Sequence, residues 1–207
     1  MQSASERTGR QKRHEATRAS ILAAALAIAR EDGWLGVTMR RIAERIDYSH
    51  AALYAYFATK EVLLLALVQE GGEKFHAAMQ AVAERDLPPA EKVAALGRTQ
   101  WEFAWQHPEL YQVMHGLGGV AFATEEARNL GKEAGSPAVA VIAEVLRGLG
   151  HDPQEAERKT ALAWSTIHGL IALTMAGRFT REEGAALVAE AAQDAFLAWG
   201  APAPEET

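Results

Sequence analysis

Between Thr38 and Lys60 the chain reads Thr-Met-Arg-Arg-Ile-Ala-Glu-Arg-Ile-Asp-Tyr-Ser-His-Ala-Ala-Leu-Tyr-Ala-Tyr-Phe-Ala-Thr-Lys, a spacing that admits few folds. Met39, Ile42, Ala43 and Ile46 fall at i, i+3, i+4 and i+7, one apolar stripe of a helix, with Thr38 before them as N-cap. Arg40, Arg41, Glu44 and Arg45 take the other face, where three guanidiniums against one carboxylate favour a phosphate backbone. Asp47 and Tyr48 form a tight turn, and Ser49 caps a second helix of only about two turns. Its buried anchors are Leu53 and Phe57, at i and i+4, which leaves His50, Ala51, Tyr54 and, further round, Tyr56 to face outward. Two short helices joined in this way make a helix-turn-helix, whose second helix brings its N-terminal residues to base edges in the major groove. The expected readers are His50, Ala51 and Tyr54: an alanine suits a thymine methyl, and a histidine suits a purine edge or a phosphate. Thr59 then caps a third helix whose first turn holds Lys60, and a helix N-terminus beside a lysine is an anion site. Tyr56, Lys60 and the Thr38 hydroxyl would fix register on phosphates, and Arg40, Arg41 and Ser49 complete the expected DNA-binding set.

Elsewhere alanine dominates, periodic apolar segments recur and strand-like runs of Val, Ile and Thr are few, so the expected class is all-α with about nine helices. At 207 residues, with 49% hydrophobic and 23% charged content, the chain is ordinary for a soluble globular protein with a substantial core. The absence of cysteine excludes disulfides, thiolate chemistry and Cys-bearing zinc sites. The seven histidines lack metal-ligand spacing, and no Ser, His and carboxylate form a nucleophile motif. No metal, cofactor or enzymatic activity is therefore expected. No apolar run is long enough to span a bilayer and no h-region follows the polar N-terminus, so a cytoplasmic protein without membrane contact is expected.

The net charge of −6 is unevenly placed: residues 1–60 hold 10 Lys+Arg against 6 Asp+Glu, or +4, and residues 61–207 hold 11 against 21, or −10. Arg7, Arg10, Lys12, Arg13 and Arg18 cluster at the start. Residues 1–15 read as a flexible basic arm, either a source of phosphate or minor-groove contacts or a solvated tail.

From about Thr17 to Leu65 the chain resembles the DNA-binding domain of the TetR family of bacterial transcriptional regulators. The resemblance rests on Ile21-Leu22-Ala23-Ala24-Ala25, Gly33, Val37-Thr38-Met39, Ile42-Ala43, Ser49, Leu53-Tyr54, Tyr56-Phe57 and Lys60-Glu61. It implies a helix-turn-helix domain, here 16–62, and a helical domain, here 63–207, that dimerises and binds a small effector. Ligand-controlled release from a palindromic operator follows from the same resemblance. Asp47-Tyr48 departs from the family's usual Gly and apolar residue in the turn, although Asp tolerates the left-handed conformation better than most residues. His50-Ala51 stands where Lys-Gly is frequent, which replaces a permanent charge with a titratable one. Trp164, His168 and Gly169 resemble the signature of the C-terminal subclass called WHG.

In the second domain a helix is expected from Lys60 to about Arg85, interrupted at Gly71-Gly72 by a bend or a close-packing point. Pro88-Pro89 opens the next helix, Pro108 starts a short one, and the segment Thr124 to Pro137 reads equally as loop or exposed helix. Trp101, Trp105, Met114, His115, Phe122, Trp164 and His168 are the candidate effector residues, and their character points to an apolar or aromatic molecule. Each is also an ordinary core residue type. The last two helices, about Pro153 to Ala176 and Arg181 to Trp199, are apolar on more than one face and need a second partner. Ile167, Leu170, Ile171, Val188, Ala192, Phe196 and Trp199 are the expected dimer residues, paired with their symmetry mates in a four-helix bundle. The whole reads as a homodimeric repressor acting on a DNA operator. A sequestering or DNA-bending protein is the alternative, separable by a specificity ratio over bulk DNA of about 10³.

Overall fold

The computed structural model describes residues 2–120 and 124–200, with side chains described from residue 9 onward. Among them are nine α-helices, two short 3₁₀ turns and no strand, so the fold is all-α. The helices are α1 (Gln2–Asp32), α2 (Met39–Arg45), α3 (His50–Tyr54), α4 (Lys60–Ala83), α5 (Pro89–Gln106), α6 (Pro108–His115), α7 (Glu125–Gly148), α8 (Ala156–Met175) and α9 (Arg181–Ala198). The chain divides into two compact units, one of Met1–Gly71 with Glu109–Ala127 and the other of Gly72–Pro108 with Arg128–Thr207. The division thus falls inside α4 rather than after residue 62, and α6 joins the first unit.

In the first unit α1 begins at Gln2, so the stretch expected to be a flexible arm is helical. Nothing in residues 2–15 stops a helix except Gly9, and one glycine costs only about 1 kcal/mol relative to alanine. Gly33, at φ 72°, ends α1 and leads into a 3₁₀ turn over Trp34–Gly36. The short helix α2 then packs on α1 and on α3, and Ile21, Ile28, Trp34, Ile42, Leu53 and Phe57 are each 2% exposed or less. Glu109 of α6 is buried and accepts from Arg30 of α1, at 2.8 Å from Nε and 3.2 Å from Nη2. A bidentate guanidinium–carboxylate pair of this geometry ties α6 to the end of α1.

The pair Gly71-Gly72 does not interrupt α4. Both glycines are close-packing points, each within its own unit. A Cβ on Gly71 would stand 2.5 Å from Met114 Sδ, and one on Gly72 would stand 3.6 Å from Ala134 Cβ.

The second unit is built on α5, α8 and α9. Where they meet, the backbones approach at small residues: a Cβ on Gly97 of α5 would lie 3.2 Å from Ile167 of α8 and 3.4 Å from Ala192 of α9. Gly184 of α9 is tighter, with Trp101 Cη2 and Thr174 Oγ1 both 2.5 Å from its would-be Cβ. The segment with two open readings is helical, and α7 runs through Pro137 without ending. Proline lacks the N–H that would bond the Glu133 carbonyl. The Ser136 hydroxyl donates to that carbonyl at 2.8 Å, and His76 Nδ1 of α4 lies 3.0 Å from it, so the acceptor is satisfied. A capping box opens α9, Thr180 accepting from the Glu183 amide and Glu183 accepting from the Thr180 amide. The Thr180 amide first, and then the Thr180 hydroxyl, hold the Glu183 carboxyl below the usual carboxylate range.

Candidate nucleic-acid interface

The local geometry of the helix-turn-helix follows from its caps. Thr38 Oγ1 accepts from the Arg41 amide at 3.2 Å and Ser49 Oγ accepts from the Ala52 amide at 3.1 Å, so α2 and α3 both start on satisfied N–H groups. Each hydroxyl keeps its proton free to donate. Between them Asp47 adopts φ 55°, the left-handed conformation that reverses the chain, and the Tyr48 amide closes on Ala43 O at 2.9 Å. An aspartate holds this conformation at modest cost. Leu53 and Phe57, both fully buried, pin the five residues of α3 against the core. Each such side chain contributes roughly 1.5–3 kcal/mol on burial, which a helix this short needs because it has little stability of its own.

With those anchors inward, His50, Ala51 and Tyr54 are all exposed, as expected of readers. The His50 ring meets Tyr54 edge-on at 5.0 Å, so the two form one surface. Thr38, Arg40 and Ser49 are exposed as well.

Four phosphate candidates are placed differently from expectation. Arg41 turns back to the end of α1, donating to Asp32 and, at 3.0 Å, to the Gly36 carbonyl. Arg45 does the same with Glu31 at 2.6 Å, which leaves Arg40, paired along its helix with Glu44 at 2.8 Å, as the outward guanidinium of α2. Tyr56 is half-buried and stacks on His14 of α1 at 4.7 Å, rather than facing outward freely. The anion site expected at the start of α4 is shared with an internal carboxylate. The Glu61 carboxylate takes up its own amide there and is held below the usual carboxylate range by that amide and then by the Thr59 hydroxyl. Lys60 beside it is half-buried, lining a cleft of about 170 Å³ with Trp34, Leu35 and Leu64. Tyr48, expected only as a turn residue, also reaches α1. It is 41% exposed, with its hydroxyl 3.3 Å from Thr17 Oγ1 of α1, and the Thr17–Tyr48 separation of 31 residues hides that link from local patterns.

The expected effector residues are divided between the two units. Met114 and His115 belong to the first unit, while Trp101, Trp105, Trp164 and His168 belong to the second. Trp101 is buried against Gly184 and Thr174 as packing. Trp164 lies ten residues, or about 15 Å, along α8 from Thr174. It stacks on His168 at 4.9 Å with the rings 7° apart, and burial pushes the His168 imidazole below its ordinary pKa. Trp105 Nε1 is buried without a hydrogen-bond partner, and Arg181 lies over the ring at 5.2 Å. Phe122 lies outside the described residues.

The dimer residues need a larger correction. Ile167, Ile171, Val188, Ala192 and Trp199 are all buried within one protomer, where α5, α8 and α9 pack together. Leu170 and Phe196 are half-buried. The large apolar side chains that α8 exposes are Leu162 and Leu173.

Among the described residues no helix is long and apolar enough to cross a membrane, and no cluster of His, Cys, Asp or Glu could hold a metal.

Two family models match the chain. "Tetracyclin repressor-like, C-terminal domain" matches residues 93–196, half of its length, and "Bacterial regulatory proteins, tetR family" matches residues 21–67. The C-terminal description does not name the WHG subclass. The HTH-type transcriptional regulator BetI of Rhizobium meliloti is 31% identical over 113 residues, which are 55% of this chain and 56% of BetI. The chain thus spans about half the length of the curated relatives it matches. A protein of unknown function from Rhodococcus sp. RHA1 shares the fold at TM-score 0.71 and 28% identity, over 88% of this chain and 93% of that one. The transcriptional regulator FadR of Bacillus subtilis, solved in complex with stearoyl-CoA, shares it at TM-score 0.66 and 17% identity, over 85% of this chain and 97% of FadR. BetI and FadR are both named as transcriptional regulators.

Proposed function

The chain belongs to the TetR family of bacterial regulatory proteins, and from that premise we propose that it is a sequence-specific, homodimeric transcriptional repressor. A small apolar or aromatic effector releases it from a palindromic operator in the cytoplasm. The observation that carries the reading is the exposed set His50, Ala51 and Tyr54 on a five-residue helix fixed by two fully buried anchors and a serine cap. A rigid helix with a small residue near its start can enter the major groove and present hydrogen-bonding edges to bases. Thr38, Arg40, Ser49 and Lys60 would hold phosphates, with Arg40 exchanging Glu44 for the DNA backbone.

Two adjacent copies would each read a half-site. The exposed pair on α8, Leu162 and Leu173 at i and i+11, supports a partner copy on that face, and Leu170 and Phe196 keep part of their surface for it. The effector reading rests on Trp105, Trp164 and the half-buried His168, which combine apolar surface with polar handles. A neighbour of the same fold holding stearoyl-CoA is in keeping with an apolar effector.

The test is selection of random duplex DNA on the purified protein, followed by titration of the winner against salt. A palindromic winner bound at least about 10³-fold over bulk DNA is expected. Tyr54→Ala should lower operator affinity at least tenfold while leaving bulk-DNA binding unchanged. If no sequence is enriched, the operator reading is wrong and the architectural alternative takes its place.

A further inference from the structure

The first half of α1 has little to pack against. From Arg10 to Ser20 only Thr17 is better than exposed, and there is no large apolar side chain until Ile21. A helix polar all round is held by i,i+4 pairs such as Gln11–Glu15, bridges to something outside the core, or is not stable. Residues 2–20 hold Arg7, Arg10, Lys12, Arg13 and Arg18 against Glu6 and Glu15, a net +3. Among the described residues Arg10, Lys12 and Arg13 have no ion-pair partner.

Two contacts set which way this helix is turned. The His14 ring stacks on Tyr56 at 4.7 Å and 27°, and Thr17 Oγ1 lies 3.3 Å from the Tyr48 hydroxyl. Tyr48 immediately precedes the cap of α3 and Tyr56 follows its end, so His14 and Thr17 mark the side of α1 that flanks the recognition helix. Arg10 is one turn before His14, and Arg13 one turn before Thr17, so both lie on that side.

We propose that the first half of α1 is a second DNA-contacting element, with Arg10 and Arg13 binding phosphates that flank the bases under α3 and His14 holding Tyr56 in register. The proposal rests on the DNA-binding reading above and adds a helical contact outside the helix-turn-helix. Duplex DNA fits this face through charge and through continuity with α3. An anionic lipid surface fits poorly, because a helix lying in a membrane interface needs an apolar face that residues 9–20 lack.

The experiment compares the full-length protein with Arg10→Ala/Arg13→Ala, Gln11→Pro and Tyr54→Ala, on an operator duplex with long flanks and on one cut to the core site. Two lost phosphate contacts should reduce the log–log salt slope by about 2 and weaken binding to long operator and bulk DNA alike, about tenfold at 0.2 M salt. Gln11→Pro keeps every charge but breaks the helix, and should weaken binding as much. On the cut duplex both variants should match the parent. Wild-type affinity in Gln11→Pro would mean that a flexible arm suffices, and an unchanged slope in the double variant would mean no contact. Either result overturns the proposal, as does a double variant that loses only its binding to phosphatidylserine vesicles. If Tyr54→Ala alone lowers affinity for the long operator, the helix-turn-helix reading stands and this inference fails. If no variant changes DNA binding, both fail.

Discussion

Leu53 of α3 and Ile171 of α8 are both fully buried, and they serve the surfaces around them differently. Leu53, with Phe57, holds a helix too short to stand alone, so that His50, Ala51 and Tyr54 remain outside. Ile171 joins Ile167, Val188 and Ala192 in closing α8 and α9 onto α5 inside one protomer, and the apolar stripe that looked free for a partner is consumed. Apolar periodicity therefore identifies a buried face without saying who buries it. A short capped helix leaves that question little room; a long helix with apolar residues on most sides leaves it open.

The largest effect that sharpens this contrast is Ile171→Ala, which should lower the unfolding free energy in urea by about 2–5 kcal/mol. A loss under about 1 kcal/mol would return that face of α8 to the surface. Leu162→Glu should instead leave urea unfolding of the protomer nearly unchanged and shift the sedimentation coefficient toward a monomer. Gly184→Ala comes next, at about 1–3 kcal/mol, because the Cβ would meet the rigid ring of Trp101. Gly71→Ala meets only the flexible end of Met114, so it should cost less than Gly184→Ala. If the two costs were equal, the tightness at α9 would not be specific to its ring contact. Thr180→Ala should cost about 1 kcal/mol, read by thermal unfolding, through loss of the α9 cap.

The smallest expected effect is in pH dependence. Burial beside Trp164 lowers the folded pKa of His168, so the neutral form is favoured in the native state. Its contribution is then fully present above the unfolded value near 6.5 and is lost as pH falls below it toward the folded value. Between pH 7 and 5 the parent's Tm should fall more steeply than that of His168→Gln. Parallel curves would remove the histidine from the account.

The helix-turn-helix was legible because its determinants are local: Thr38 and Ser49 cap within three residues, Asp47 reverses the chain, and Leu53 and Phe57 are a single turn apart. Where partners lie further off, the sequence reading was less complete. Arg41 and Arg45 look free for phosphate until Glu31 and Asp32 arrive from the end of α1. Pro137 looks like a helix stop until the Ser136 hydroxyl and the His76 ring take up the carbonyl it strands. Residues 2–15 are polar enough to read as an arm, yet no residue there forbids a helix. The face of α8 could not be assigned from spacing, because Gly97 and Gly184, which admit α5 and α9 so closely, are distant in sequence.

The ion pair between Arg30 and Glu109 spans 79 residues. At synthesis rates of 5–20 residues per second, Arg30 is made about 4–16 s before the acid that pins it. A fragment ending at residue 62 would carry His50, Ala51 and Tyr54 but not the carboxylate that pairs with Arg30 at the end of α1. The reading head of this protein is encoded early and finished late, after the whole of α5 has been translated.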